Sequence, residues 1–280
     1  MRGALVAAGR ALSGIGFLIA HWNLMRGNRR FFDAHRGERC FILCNGPSVL
    51  GQDLLPLRNE VVMSVSSGYL YRDFDRIRPR YHFVPPMTFG MITEQDAVRW
   101  FQEMHDRLGE AELFLGSSEH GLVARHALFS GRRVSYLCCA LPFLPREDGI
   151  ISLCGPVPSP ASVPIMCLVA ALYMGFRDIY LLGTEHDSFA TRKYKYAFEP
   201  TVMRGKDFSV DEHGDLRIPL YEELASNLAL WTQYRHVKRI ALHNGRNVWN
   251  ATVGGLLDEF PRVALEEALA APRLRGLPAT

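Results

Sequence analysis

The sequence lacks the features that mark several large classes of protein. Its 280 residues carry a formal net charge of only +3 and contain no arginine-rich block, so we expect no nucleic-acid binding. Hydrophobic residues make up 48% and charged residues 22% of the chain, a balance that excludes disordered and fibrous proteins. The composition therefore favours a globular chain with a substantial core.

Motifs for metals and for common cofactors are also missing. None of the six cysteines forms a CxxC pair or a cluster with zinc-ligand spacing, so we expect reduced, mostly buried thiols and no zinc site. The GxGxxG and GxxxxGK[ST] patterns are absent, which counts against a nicotinamide-dependent enzyme and a P-loop enzyme. We expect no required cofactor, and the sequence leaves dependence on a divalent metal open.

Long apolar runs are absent from the N-terminal segment, residues 1–36. Its longest run, residues 15–20, is too short to span a bilayer, which takes about 20 residues. Two interpretations of this basic segment stay open: a helix packed on the domain or on a partner subunit, or a basic amphipathic helix on the inner face of the cytoplasmic membrane. The second would insert Phe17, Leu18, Ile19 and Trp22 and place Arg10, Arg26, Arg29 and Arg30 at the headgroups. In either case we expect a cytoplasmic protein.

The remaining chain alternates short apolar runs with helical patterns. Residues 39–44, 60–65, 81–84, 112–115, 134–137, 178–182 and 239–242 are predicted strands, and residues 49–57, 93–108, 162–174 and 219–235 are predicted helices. This order predicts an α/β domain over residues 37–268, with a mostly parallel sheet and helices on both faces. Residues 186–217 are irregular and predict a lid, and residues 269–280 form a tail.

Polar clusters follow three of the predicted strands. They comprise Asn45, Gly46, Pro47 and Ser48, then Ser66 and Ser67, then Gly183, Glu185, His186 and Asp187. Ligands of open parallel sheets bind beyond the carboxyl ends of the strands, so these clusters are candidate site residues. In the first cluster, Gly46 would let a ligand approach the backbone, Ser48 could cap a helix, and free amide groups would attract a phosphate.

The residue types in and after the third cluster suit proton transfer. Glu185, His186 and Asp187 could supply a general base or a metal ligand, and His213 is a second candidate base within the lid. Tyr194 and Tyr196 could donate hydrogen bonds to a phosphate or a leaving group. For each of these residues a purely structural role stays open.

Several segments in this order resemble a known family. The strand followed by Asn45-Gly46-Pro47-Ser48, the Gly175–Gly183 segment GFRDIYLLG, the YAFE segment at Tyr196 and the NATVGG segment at Asn250 are similar to glycosyltransferase family 42, the bacterial sialyltransferases. They also resemble the related motility accessory factor proteins. The likeness covers about residues 38–268 in patches. It implies a Rossmann-like domain with a lid that binds a CMP-activated sugar.

The resemblance also implies roles for individual residues. The first loop, at residues 45–48, would hold the nucleotide, Ser162 would lie in a loop that cradles it, and Tyr196 would contact the donor phosphate. Gly183 matches the glycine at the end of the central strand. The chain departs from the family at three positions. Ser66 and Pro85 stand where the family has asparagines, and the family's second lid tyrosine falls near Asp187. The family's general-base histidine has no counterpart at the matching distance, so His186 and His213 stay alternatives.

These observations together predict an enzyme. We expect a glycosyltransferase that moves a sialic-acid-like or other nonulosonic acid from a CMP-activated donor to a bacterial surface glycan. Two alternatives stay open: an ATP- and magnesium-dependent protein like 6-hydroxymethylpterin pyrophosphokinase, with Glu185 and Asp187 as metal ligands, and a non-catalytic membrane-associated scaffold. A homo-oligomer is possible on this sequence.

Overall fold

A single parallel sheet forms the centre of the molecule. The computed structural model describes residues 22–87, 92–143, 148–206 and 210–272, so Arg10, Phe17, Leu18 and Ile19 lie outside the described residues. Eight strands pair in the order β6-β5-β4-β3-β2-β1-β7-β8, and every neighbouring pair is parallel. The strands are β1 (Arg39–Leu43), β2 (Val61–Val65), β3 (Tyr81–Phe83), β4 (Glu112–Gly116), β5 (Val134–Leu141), β6 (Pro156–Pro158), β7 (Asp178–Leu182) and β8 (Asn247–Asn250).

Helices cover both faces of this sheet. They are α1 (Phe74–Ile77), α2 (Glu94–Arg107), α3 (His120–Arg125), α4 (Val163–Tyr173), α5 (Ser188–Thr191), α6 (Leu220–His243) and α7 (Leu265–Ala270). Along β1, Cys40 and Ile42 join the core cluster that contains α4 and α6, whereas Phe41 and Leu43 join the cluster that contains α1, α2, α3 and α7. The predicted Rossmann-like α/β fold, with a mostly parallel sheet and helices on both faces, is therefore confirmed.

The central strands β1 and β7 lie in register along their whole length. Arg39 pairs with Asp178 and Leu43 pairs with Leu182, and every residue of both strands is buried. Because both faces are covered, such strands are continuously apolar rather than alternating. Helix α4 is likewise buried nearly all round, since the sheet lies on one side of it and α6 packs against it on another.

Two predicted elements differ from the structure, and two edge strands were not predicted. The predicted strand at residues 239–242 is wrong: these residues form the last turn of α6, because Tyr234, Val237 and Ile240 continue one buried helical stripe. The last strand is β8 instead. Residues 49–57 form two separate 3₁₀ turns, Pro47–Gly51 and Leu55–Asn59, because Gln52 between them has an extended backbone. The edge strand β6, which begins at a proline, was not predicted.

The described part of the N-terminal segment packs against the sheet. Residues 22–26 are helical and lead into a 3₁₀ turn at Gly27–Phe31. Met25, Asn28 and Phe31 are buried, and the side-chain amide of Asn28 donates to the carbonyls of Tyr136 (2.8 Å) and Leu153 (2.9 Å). Trp22 stays 55% exposed, Arg26 and Arg29 are exposed, and Arg30 pairs with Glu112. Among the described residues, no helix has both the length and the apolar character needed to cross a membrane.

Candidate functional site at the carboxyl ends of the central strands

The order of the strands creates a switch point between β1 and β7. From β1 the chain builds β2 to β6 on one side, then returns to place β7 on the other side of β1. The loops that leave these two strands therefore diverge, and open α/β sheets bind their ligands in the crevice that this produces. A cavity of about 360 Å³ lies at this position.

Most of the predicted site residues line this cavity. Those that do are Asn45, Gly46, Pro47, Ser66, Ser162, Gly183, Glu185, His186, Asp187, Tyr194 and Tyr196. The structure does not bring the other three to the wall. Ser48 lies beyond Pro47 at the start of the 3₁₀ turn, and the Ser67 hydroxyl accepts a hydrogen bond from the Trp100 indole at 3.0 Å. His213 lies in an exposed turn, with its side chain 76% exposed.

The carboxylate of Glu185 joins the two loops at the switch point. Its Oε1 accepts a hydrogen bond from the Ser48 amide at 2.7 Å, and Glu185 itself is buried. A Cβ atom added to Gly46 would lie 1.5 Å from Glu185 Oε2 and 2.6 Å from the Gly183 carbonyl oxygen, so the carboxylate occupies space that only a glycine leaves free. The Gly46 amide also donates to that carbonyl at 3.1 Å. Part of the amide cradle that was expected to attract a phosphate thus already holds an internal anion.

A C-terminal loop supports Glu185 from behind. Gly255 has a φ of +72°, and a Cβ atom there would lie 2.5 Å from the Glu185 Cα, so this close approach also requires glycine. The Leu256 amide donates to the Glu185 carbonyl at 2.7 Å. Arg262 secures the loop by donating to the carbonyls of Thr252 and Gly255. The NATVGG segment, which in the sequence carries only a family resemblance, thus has a supporting role at the site.

His186 combines an unusual backbone with a neutral ring. Its φ is +48°, in the left-handed region, and its Nε2 lies 2.8 Å from the hydroxyl of the fully buried Tyr234. Burial lowers the pKa of His186 to about 4, so the imidazole is unprotonated at neutral pH. The tautomer that donates from Nε2 to the Tyr234 oxygen presents an unprotonated Nδ1, which makes no hydrogen bond with the described residues. In that tautomer Nδ1 is a candidate proton acceptor, although the burial that keeps the ring neutral also makes it a weaker base than a free imidazole.

A second buried histidine fixes the wall at the end of β2. His82 has no exposed surface, and burial lowers its pKa to about 3. Its Nε2 donates to the Ser66 carbonyl at 2.8 Å, and its Nδ1 lies 2.8 Å from the Ser64 hydroxyl. These bonds hold Ser66 at a φ of +48°, a conformation that non-glycine residues adopt rarely. The sequence analysis placed His82 in a strand and gave it no role.

The lid residues beside the cavity form an aromatic row. The rings of Tyr194 and Tyr196 lie 4.9 Å apart, and those of Tyr196 and Phe198 lie 5.7 Å apart at an interplanar angle of 21°. The Ala197 amide donates to the Asn45 carbonyl at 2.8 Å, which fastens this row to the loop after β1. The other end is held where the Tyr194 amide donates to the Gly214 carbonyl at 2.8 Å.

Two basic residues of the cavity wall were not among the predicted site residues. Lys193 and Lys195 alternate with the two tyrosines and line the same wall. Lys193 lies 3.6 Å from Asp215, whereas Lys195 has no ion pair with any residue that the structure describes. The available signal was the alternation of lysine and tyrosine at residues 193–196, because basic and aromatic side chains together suit a phosphorylated ligand.

Neither a search for metal ligands nor comparison with known proteins identifies a further feature of the site. Within the described parts of the chain, no three His, Cys, Asp or Glu side chains converge as ligands for a metal ion, and all six cysteines are free thiols. No protein-family model matches the chain, and no curated protein matches it.

Proposed function

We propose that the protein is a glycosyltransferase that uses a CMP-activated nonulosonic acid, such as a sialic acid, as its donor. The observation that carries the proposal is the cavity at the switch point, where an unprotonated His186 lies with the lid tyrosines Tyr194 and Tyr196. The patchwise resemblance to the bacterial sialyltransferases supports the choice of donor. A bacterial surface glycan is the expected acceptor.

The proposed reaction is a substitution at the anomeric carbon of the donor sugar. An acceptor hydroxyl forms the new C–O bond while the bond between the anomeric carbon and the phosphate oxygen breaks, and CMP leaves with that electron pair. His186 Nδ1 receives the proton of the hydroxyl, and the Tyr196 hydroxyl donates to the departing phosphate. His186 is preferred over His213 because it lines the cavity, whereas His213 lies in an exposed turn.

The test is release of CMP from CMP-linked sialic acid when bacterial surface glycans are added. We expect release by the wild-type chain and a loss of about 100-fold or more in the His186→Gln variant, which removes the proton acceptor. CMP affinity should change less than threefold in that variant. The His213→Gln variant is the matched control and should keep its activity.

Two results would contradict the proposal. Turnover that requires ATP and magnesium, without any response to CMP-sugars, would instead support the pyrophosphokinase-like alternative. Nucleotide binding without turnover of any donor would support a non-catalytic scaffold.

A further inference from the structure

Two of the backbone amides in the turn after β1 already have acceptors. The Ser48 amide is bound by the Glu185 carboxylate at 2.7 Å, and the Gly46 amide is bound by the Gly183 carbonyl at 3.1 Å. Pro47 has no amide hydrogen. A phosphate at this turn would have to displace a buried carboxylate or lie against it, and like charges at such distances repel.

The lid offers the opposite charge at the same cavity. The chain contains only four lysines among its 32 basic residues, and two of these four, Lys193 and Lys195, line the cavity. The other two, Lys206 and Lys238, do not line it. A lysine ammonium is a mobile point charge with three donors, which suits a phosphate group whose position changes as a bond breaks.

A third feature favours an anion in this cavity. Ser162, Val163 and Pro164 line it as well, and they form the start of α4, an 11-residue helix. The N-terminus of a helix carries partial positive charge. The remaining carboxylate in the wall, Asp187, lies just before α5, whereas the two lysines follow that helix.

We propose that the phosphate group of the ligand binds to Lys193 and Lys195 on the lid, and that Glu185 is a positioning residue which closes the turn after β1 to phosphate. The ligand is a phosphate ester. Only the identification of this ester as a nucleotide rests on the proposed function. Binding of the anion itself is independent of the sugar and of any transfer reaction.

Because the chain has only four lysines, chemical modification of each one can be measured separately. The full-length protein is acylated with a limiting lysine reagent, with and without inorganic pyrophosphate or CMP, and modification at each lysine is measured by mass spectrometry. We expect ligand to protect Lys193 and Lys195 by fivefold or more, while Lys206 and Lys238 are modified equally in both samples. Equal modification of all four lysines at saturating ligand would overturn the proposal.

The second experiment measures affinity for pyrophosphate and for CMP by calorimetric titration. Lys195→Gln should weaken binding by about tenfold, the typical effect of removing one hydrogen bond to a charged group. Lys238→Gln is the matched control and should change affinity less than twofold, because Lys238 lies near the start of β8. Glu185→Gln, which removes a like charge from the cavity wall, should not weaken binding, and weaker binding in this variant would overturn the role assigned to Glu185.

The outcomes separate this proposal from the proposed function. Lysine-dependent binding of pyrophosphate without CMP binding would support the lid subsite and contradict the CMP-sugar donor. CMP binding that is unchanged in Lys193→Gln and Lys195→Gln would keep the donor and overturn the lid subsite. Absence of binding by both probes would overturn both.

Discussion

Gly46→Ala is the substitution that tests the junction between the two central loops most sharply. The new Cβ atom would lie 1.5 Å from Glu185 Oε2, 2.4 Å from its Cδ and 2.6 Å from the Gly183 carbonyl oxygen. The carboxylate can rotate away, but it then loses its hydrogen bond to the Ser48 amide. The carbonyl belongs to the backbone of a buried loop and has less freedom to move. The backbone of Gly46 itself, with φ −68° and ψ 151°, is open to alanine, so the expected effect comes from the contacts.

The magnitude follows from these contacts. Loss of a hydrogen bond to a charged group accounts for about 1.5–3 kcal/mol, and crowding of a packed site adds about 1–3 kcal/mol. Reduced freedom of the unfolded chain offsets about 0.4–1 kcal/mol. We therefore expect the free energy of unfolding to fall by about 2–5 kcal/mol, measured by urea denaturation. Gly51→Ala is the control, since nothing lies within 4 Å of a Cβ atom there.

A double-mutant cycle decides whether Glu185 causes the loss. In a Glu185→Ala background the carboxylate is gone, so Gly46→Ala should be less damaging by about 1 kcal/mol or more. Equal losses in both backgrounds, or a loss below about 1 kcal/mol in the wild-type background, would refute the described junction.

Two further predictions concern stability. Asn28→Ala should lower the free energy of unfolding by about 2–4 kcal/mol because two buried carbonyls lose their donor. Trp22→Ala is the control and should change it by less than about 0.5 kcal/mol, because this residue is 55% exposed. Equal small effects of the two substitutions in urea denaturation would contradict the packing of this segment. Stability should also fall with acidification, because burial lowers the pKa of His82 to about 3 and of His186 to about 4 in the folded state. The unfolded histidines, with pKa near 6.5, take up protons first, so the free energy of unfolding should fall by about 1 kcal/mol for each histidine between pH 6 and pH 5. His186→Gln should show a smaller change over this interval, and an unchanged pH dependence would show that the ring is not buried and neutral.

The sequence predicts most of the sheet because its inner strands are buried on both faces. Such strands are short continuous apolar runs, as at residues 39–44 and 178–182, and they stand out beside polar turns. The edge strands lack this signal: β8 begins and ends with asparagine, and β6 begins and ends with proline. The four apolar-rich residues 239–242 fit a strand or a helical turn equally well, and only the buried stripe of α6 distinguishes the two.

The candidate site is only partly visible in the sequence. Residues 45–47, 66 and 183–187 are recognisable as polar segments at predicted strand ends, and the sheet brings them together. The contact of Glu185 with Ser48 joins positions 137 residues apart, so no local pattern reveals it. The requirement for glycine at position 255, which comes from the close approach of the Glu185 backbone, is equally non-local. For Lys193 and Lys195 the only local signal is the alternation of lysine and tyrosine, and their place in the cavity wall follows from where the lid lies.

The central claim is that the cavity at the switch point binds a cytidine nucleotide. The most direct measurement is the melting temperature with CMP, CDP, UDP, GDP and ATP, each with and without magnesium. A ligand at 100 times its dissociation constant stabilises the folded state by about 2.7 kcal/mol, which raises the melting temperature measurably. The account predicts a selective rise with CMP or CDP. A magnesium-dependent rise with ATP while CMP has no effect would contradict it.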